Sequence, residues 1–236
     1  MAQLKEHSPS NRVALWTSGG ATWLLFFLAL PFLEGGGLGI EALVGGGLIG
    51  LPLVFLGYLA ASRHRSIPGH SSSERAKLAA AALLAGIGLG ALNLGVNVGL
   101  ATADASIRAL LQEHFAVPLT WAKVASVAVV EEVVARLFLI SVIAWITARL
   151  VSRPRGIFLS ALVVSALLFG VGHLLGRPMP AQSAFAALYG VSVVLKSSAA
   201  GLLLGWVFWR WGLPYAILIH FAANGLHQVF EPLVFS

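Results

Sequence analysis

Residues 120–149 read TWAKVASVAVVEEVVARLFLISVIAWITAR, a stretch whose only charges before Arg149 are Lys123, Glu131, Glu132 and Arg136. About 20 apolar residues suffice to cross a hydrocarbon core of about 30 Å, so the stretch predicts a transmembrane helix. Charges at that depth are costly and mark a functional site by default. Glu132 and Arg136 stand four residues apart, share one helix face and pair. That leaves Glu131 as the carboxylate without a counter-ion, a group suited to general acid or base work. Taken alone, the motif also fits an ion-paired helix contact with no chemistry.

Two more polar motifs lie further along, inside apolar segments. Phe169-Gly-Val-Gly-His173 places an aromatic ring one turn before an imidazole, and His220-Phe-Ala-Ala-Asn224 places two hydrogen-bond donors one turn apart. Donors aimed at one point are what a developing oxyanion requires. Taken alone, His173 reads more readily as a hydrogen-bonded packing residue than as a functional one, and His220 with Asn224 reads equally well as interhelical hydrogen bonding.

The rest of the chain fits a membrane setting. Of its 236 residues, 58% are hydrophobic and 10% charged, with a mean hydropathy of +0.88. That is too little polar surface for a soluble globule. The apolar runs predict an all-α, polytopic transmembrane bundle of about seven spans: 14–33, 40–62, 77–102, 120–149, 156–175, 183–209 and 213–231. Between the third and fourth, Asp104 to Phe115 reads as a short amphipathic surface helix, with Ile107, Leu110, Leu111 and Phe115 on one side and Arg108, Gln112 and Glu113 on the other. The whole is one integral membrane domain, with motif-free spans over 1–119 and the motif-bearing core over 120–236. Glycine clusters, among them Gly86 to Gly99, predict close helix approach. Pro31, Pro52 and Pro214 predict kinks or helix starts.

No small-residue cleavage site comes after the first span, so it reads as a retained anchor. Cysteine is absent, which excludes thiolate metal ligands and a cysteine nucleophile. The net charge of +6 has a topological explanation that removes nucleic acid as a partner. With the N-terminus inside, Lys5, Arg12, Arg63, Arg65, Arg75, Lys77, Arg149, Arg153, Arg155 and Arg210 all face the cytoplasm. Asp104 is the one aspartate, so an aspartyl dyad cannot form, and neither His-Glu-x-x-His nor Gly-x-Ser-x-Gly occurs.

The three motifs in this order resemble those of the CAAX protease and bacteriocin-processing (CPBP, or Abi) family of intramembrane endopeptidases, which includes the type II CAAX prenyl endopeptidases. The resemblance covers roughly 120–230. It implies a protease acting on a membrane-associated protein or peptide within the lipid bilayer, in a bacterial cytoplasmic membrane. Glu131 and His173 would activate water, His220 and Asn224 would stabilise the oxyanion, and Glu132 with Arg136 would orient the base. Phe169 would line the substrate side. Glu131, His173 and His220 could also hold a divalent metal such as zinc, so a metal-dependent and a metal-free, glutamic-type mechanism both stand. Lys196 is expected to snorkel or to pair with a helix carbonyl, and His227 to lie near the interface.

Rival readings of the same groups are a proton relay or transporter and a haem site with His173 and His220 as axial ligands. Depth adds one inference. Glu131 is eighteen residues from Arg149 and His173 eighteen from Arg155, about 27 Å at about 1.5 Å per residue, which puts both nearer the outer face. His220, ten residues beyond Arg210, fits this less well. An outward site favours an exported substrate, as in the myxosortase-like members.

Overall fold

The computed structural model describes residues 70–116, 119–175, 177–180 and 184–235, together with Thr22, Val54, Leu56 and Gly57. Apart from those four residues, the expected spans 14–33 and 40–62 lie outside the described residues. Helix α1, Ser72–Ala103, opens with a capping box: the Ser71 hydroxyl accepts from the Glu74 N–H at 3.2 Å, and the Glu74 carboxylate accepts from the Ser71 N–H at 2.8 Å. This box starts the helix five residues before the apolar run that predicted it. Asp104 ends α1 and caps α2, Ala105–Phe115, by accepting from the Ile107 N–H.

Helix α3, Trp121–Glu132, is capped by Thr120 and continues without a break through a π-helical segment, Val133–Ile140, into α4, Ser141–Thr147. This rod is the expected 120–149 span, and its π-helical segment begins directly after the glutamate pair. Leu119 donates its N–H to the Gln228 side chain at 3.0 Å, which pins the entry of α3 to a helix more than a hundred residues away. Helix α5, Pro154–Leu175, begins on a proline, whose missing N–H costs nothing at a first position. Helices α6, Ala186–Arg210, and α7, Leu213–Phe235, are joined at Gly212, whose φ of 116° suits glycine. Pro214 falls at the start of α7, as expected, and Pro232 lies within it.

The bundle is all-helical among the described residues, and α1, α5 and α6 are long and apolar enough to cross a membrane. Of the seven spans expected, these three meet both criteria. Leu84, Leu92, Leu159, Leu167, Leu195 and Leu202 are exposed, whereas Glu132 and Arg136 are wholly buried. That inside-out distribution suits a lipid solvent. Helix α7 packs along α1, α5 along α6, and the α3–α4 rod touches both pairs. Val133, Leu137, Ile140, Leu204, Val207 and Ile219 join the rod to α6 and α7 in one core. On α2, Ile107 and Leu111 are buried with Tyr189, Val193 and Phe235, so its apolar side meets protein while Arg108, Gln112 and Glu113 stay exposed.

Small residues set the α1–α7 distance. A Cβ at Gly86 would lie 2.5 Å from the Ile219 carbonyl oxygen, and one at Gly90 would lie 2.8 Å from that of Ala223; Gly88, Gly95 and Gly99 face open space. Only part of the glycine run is therefore a packing seam. Gly86→Ala should cost about 1–3 kcal/mol through overpacking, and Gly88→Ala should gain up to about 1 kcal/mol of helix propensity. Equal unfolding temperatures for the two variants in detergent would refute this division.

Candidate active site

The three motifs converge at the α3–α5–α7 junction. Glu132 and Arg136 have no exposed surface, and the Arg136 Nε donates to Glu132 Oε2 at 2.9 Å. The other carboxylate oxygen, Oε1, is 2.9 Å from His220 Nδ1. A carboxylate only accepts, so Nδ1 carries the proton and Nε2 is turned to the cavity. His173 is set the same way: its Nδ1 is 2.9 Å from the Phe169 carbonyl oxygen, one turn back on α5, which fixes Nδ1 as the donor and frees Nε2. Phe169 ties the groups together. Its ring centroid is 4.4 Å from that of His173, and the Arg136 guanidinium carbon lies 4.5 Å over its face.

Both Nε2 atoms address Glu131. Its Oε2 is 3.5 Å from His173 Nε2 and 3.8 Å from His220 Nε2. That oxygen is buried and has no hydrogen-bond partner among the described residues. Leaving a buried acceptor unpaired is costly, so an orphan of this kind points to function. Glu131, Phe169, His173, His220 and Asn224 all line one cavity of about 780 Å³. Glu132 and Arg136 stand behind that wall. The sequence motifs are thus brought together, in two layers. Among the described residues no group of three or more His, Asp or Glu side chains has the arrangement of a metal site.

The cavity has a second polar end, which the motifs did not mark. Asn97 donates to Glu231 Oε1 at 2.8 Å, His227 Nδ1 donates to the same oxygen at 2.7 Å, and the Lys196 ammonium donates to the Asn97 side-chain oxygen. Lys196 therefore bonds a side chain of α1 and neither snorkels nor meets a helix carbonyl. His227 lies inside the bundle's cavity. The four-residue spacing of His227 and Glu231 was the one local signal of this cluster.

A buried glutamate–arginine pair, two imidazoles and a carboxylate oxygen without a hydrogen-bond partner among the described residues thus meet from three apolar helices. Residues 113–226, just under half of the chain, match the family model described as type II CAAX prenyl endopeptidase Rce1-like. No curated protein and no solved structure matches the chain.

Proposed function

We propose that this protein is a metal-free, glutamic-type intramembrane endopeptidase, with residues 120–236 as its catalytic core and 1–119 as supporting spans. The observation that carries this reading is the orphaned Glu131 Oε2 facing two imidazole nitrogens across a cavity. A water within reach of Glu131 and His173 loses its proton to the carboxylate as its oxygen attacks the scissile carbonyl. Protonated His220, from Nε2, and Asn224, from its amide, donate to the oxyanion. Glu132 holds the His220 ring, and Arg136 neutralises Glu132 and clamps Phe169; both are positioning residues. Collapse of the intermediate returns the proton to the leaving amine.

The substrate is a membrane-associated protein or peptide cut near the outer face. The charge distribution supports an inside N-terminus, and the two eighteen-residue depths support an outward site, as in a myxosortase-like role. The native chain has no cysteine, so a single cysteine at Arg153 reports sidedness cleanly. Labelling of it from outside intact cells would overturn the orientation.

The function is tested by comparing protein termini in cells expressing wild type or Glu131→Gln at equal abundance. New termini confined to wild type, and still produced by the purified enzyme in the presence of a metal chelator, are expected. Identical termini in both strains would sink the protease reading, and loss of cleavage on chelation would sink the metal-free one.

A further inference from the structure

Helix α6 runs back along α5, with Gly201 against Ala166 and Gly205 against Leu162. The start of α5 and the end of α6 therefore lie together, and the rings of Phe158 and Trp209 meet there at 5.0 Å. Four arginines gather at this end, all exposed: Arg149 and Arg153 after α4, Arg155 in the first turn of α5 and Arg210 at the close of α6. The sequence holds no acid between Glu132 and Glu231, and none of the four forms an ion pair among the described residues. Glu74, at the start of α1, is held in its capping box. Arg149 lies 3.4 Å over the ring of Trp145, a contact that fixes the guanidinium and leaves its charge uncancelled.

What lies below these cations identifies their partner. Four of the seven tryptophans, at 145, 206, 209 and 211, fall within four residues of Arg149 or Arg210. Tryptophan concentrates at the membrane–water boundary, which sets the guanidinium groups at headgroup level. Residues four apart on a helix form a continuous ridge. From Arg155 the ridge along α5 runs through Leu159, Val163, Leu167 and Val171, each 44–54% exposed, and from Arg210 the ridge on α6 runs back through Trp206 and Leu202, 41 and 40% exposed. Each is an apolar, outward-facing strip headed by an arginine. The cations of α1 are placed otherwise. Helix α1 runs parallel to α7, so Arg75 and Lys77 share this end, but their ridges lead to Ala79 and Ala85, which pack against the core. We propose that the start of α5 and the end of α6 form a binding site for an anionic glycerophospholipid. Its phosphodiester accepts from the guanidinium forks of Arg155 and Arg210, Arg149 and Arg153 add to the positive field, and its acyl chains lie along the two ridges. A free phosphate would use the arginines and leave the ridges without a role. The site is independent of the peptidase reading.

The tryptophans beside the arginines supply the readout. The full chain is placed in nanodiscs of phosphatidylcholine containing increasing fractions of either phosphatidylglycerol or phosphatidylcholine with brominated acyl chains, which quench tryptophan fluorescence on contact. Half-maximal quenching should need an about tenfold or more lower fraction of the brominated phosphatidylglycerol, since each arginine near the surface is worth about fivefold. Arg155→Gln combined with Arg210→Gln should erase the difference. Arg75→Gln combined with Lys77→Gln removes as much charge from the same end and should keep it. Neither Arg155 nor Arg210 bonds another described side chain, so their double variant should melt with wild type in neutral detergent; either single variant, expected to lose about fivefold, serves if the double does not express. Equal quenching of wild type by the two lipids would overturn the site. So would equal losses in the two double variants, since the attraction would then be a diffuse surface field. Reversal of the quenching by millimolar inorganic phosphate, but not by chloride at the same ionic strength, would show a pocket for free phosphate and refute the lipid assignment.

Discussion

Glu131→Gln should lower the cleavage rate at saturating substrate by about 10²–10⁴-fold, the range a positioned general base contributes, while the protein keeps its unfolding temperature. The substitution replaces with a neutral amide the carboxylate whose Oε2 faces both imidazole Nε2 groups. It breaks no hydrogen bond among the described residues, because Glu131 Oε2 has no partner there. Asn224→Ala should also slow the chemistry, by about 10²–10³-fold as for loss of one oxyanion donor, with little change in substrate affinity. A relay protein would show the opposite order of sensitivity, tolerating the asparagine change and failing on the glutamate. Single-turnover rates on a substrate found by terminus profiling decide the matter. Residual activity in Glu131→Gln above a tenth of wild type would remove Glu131 from the role of base.

Arg136→Met is expected to act on the fold before it acts on the chemistry. The guanidinium donates to both oxygens of Glu132, at 2.9 and 3.5 Å, and packs over Phe169. With Arg136 removed, Glu132 becomes a buried carboxylate held by His220 alone, and breaking a buried pair from one side typically costs about 3–5 kcal/mol. The variant should therefore lose folded yield and melt far earlier in detergent than Glu131→Gln. Arg136→Lys should rescue only part of the loss, since an ammonium lacks the planar face that stacks on Phe169 and the fork that spans two oxygens. A melting temperature within a degree of wild type for Arg136→Met would show that the pair contributes little to the fold.

What the sequence made legible was whatever the helix repeat places within one turn. Glu132 with Arg136, Phe169 with His173, and His220 with Asn224 are all four apart, and the structure puts each pair on a common helix, with the first two in direct contact. The long-range partnerships were not legible. His220 reads from its motif as a partner of Asn224, yet its Nδ1 belongs to Glu132, 88 residues earlier. Asn97 and Glu231, 134 residues apart, bond across α1 and α7, and nothing local to either predicts it. Helix ends went astray for a related reason. The hydropathy reading closed the last span at 231, but Glu231 is satisfied by Asn97 and His227 and α7 continues to Phe235. The depth count that set His220 apart from Glu131 also dissolves once the helices pack, since the two groups come within 3.8 Å.

The π-helical segment Val133–Ile140 gives the chain a dependence on length that no substitution would reveal. A wide turn of this kind is an α-helix carrying a residue too many. Removing one residue between Leu137 and Ile140 would let the rod relax to an ordinary helix, whereas each further residue removed would turn the C-terminal half of the rod by about 100° at about 3.6 residues per turn. Ser141 and Ala144, now buried, would swing away from the core while Glu131, Glu132 and Arg136 kept their own spacing. The alignment between the half of this rod that carries Glu131 and Glu132 and the half that anchors it is thus written as a residue count, and insertions and deletions there would retune the site in steps that point mutations cannot reach.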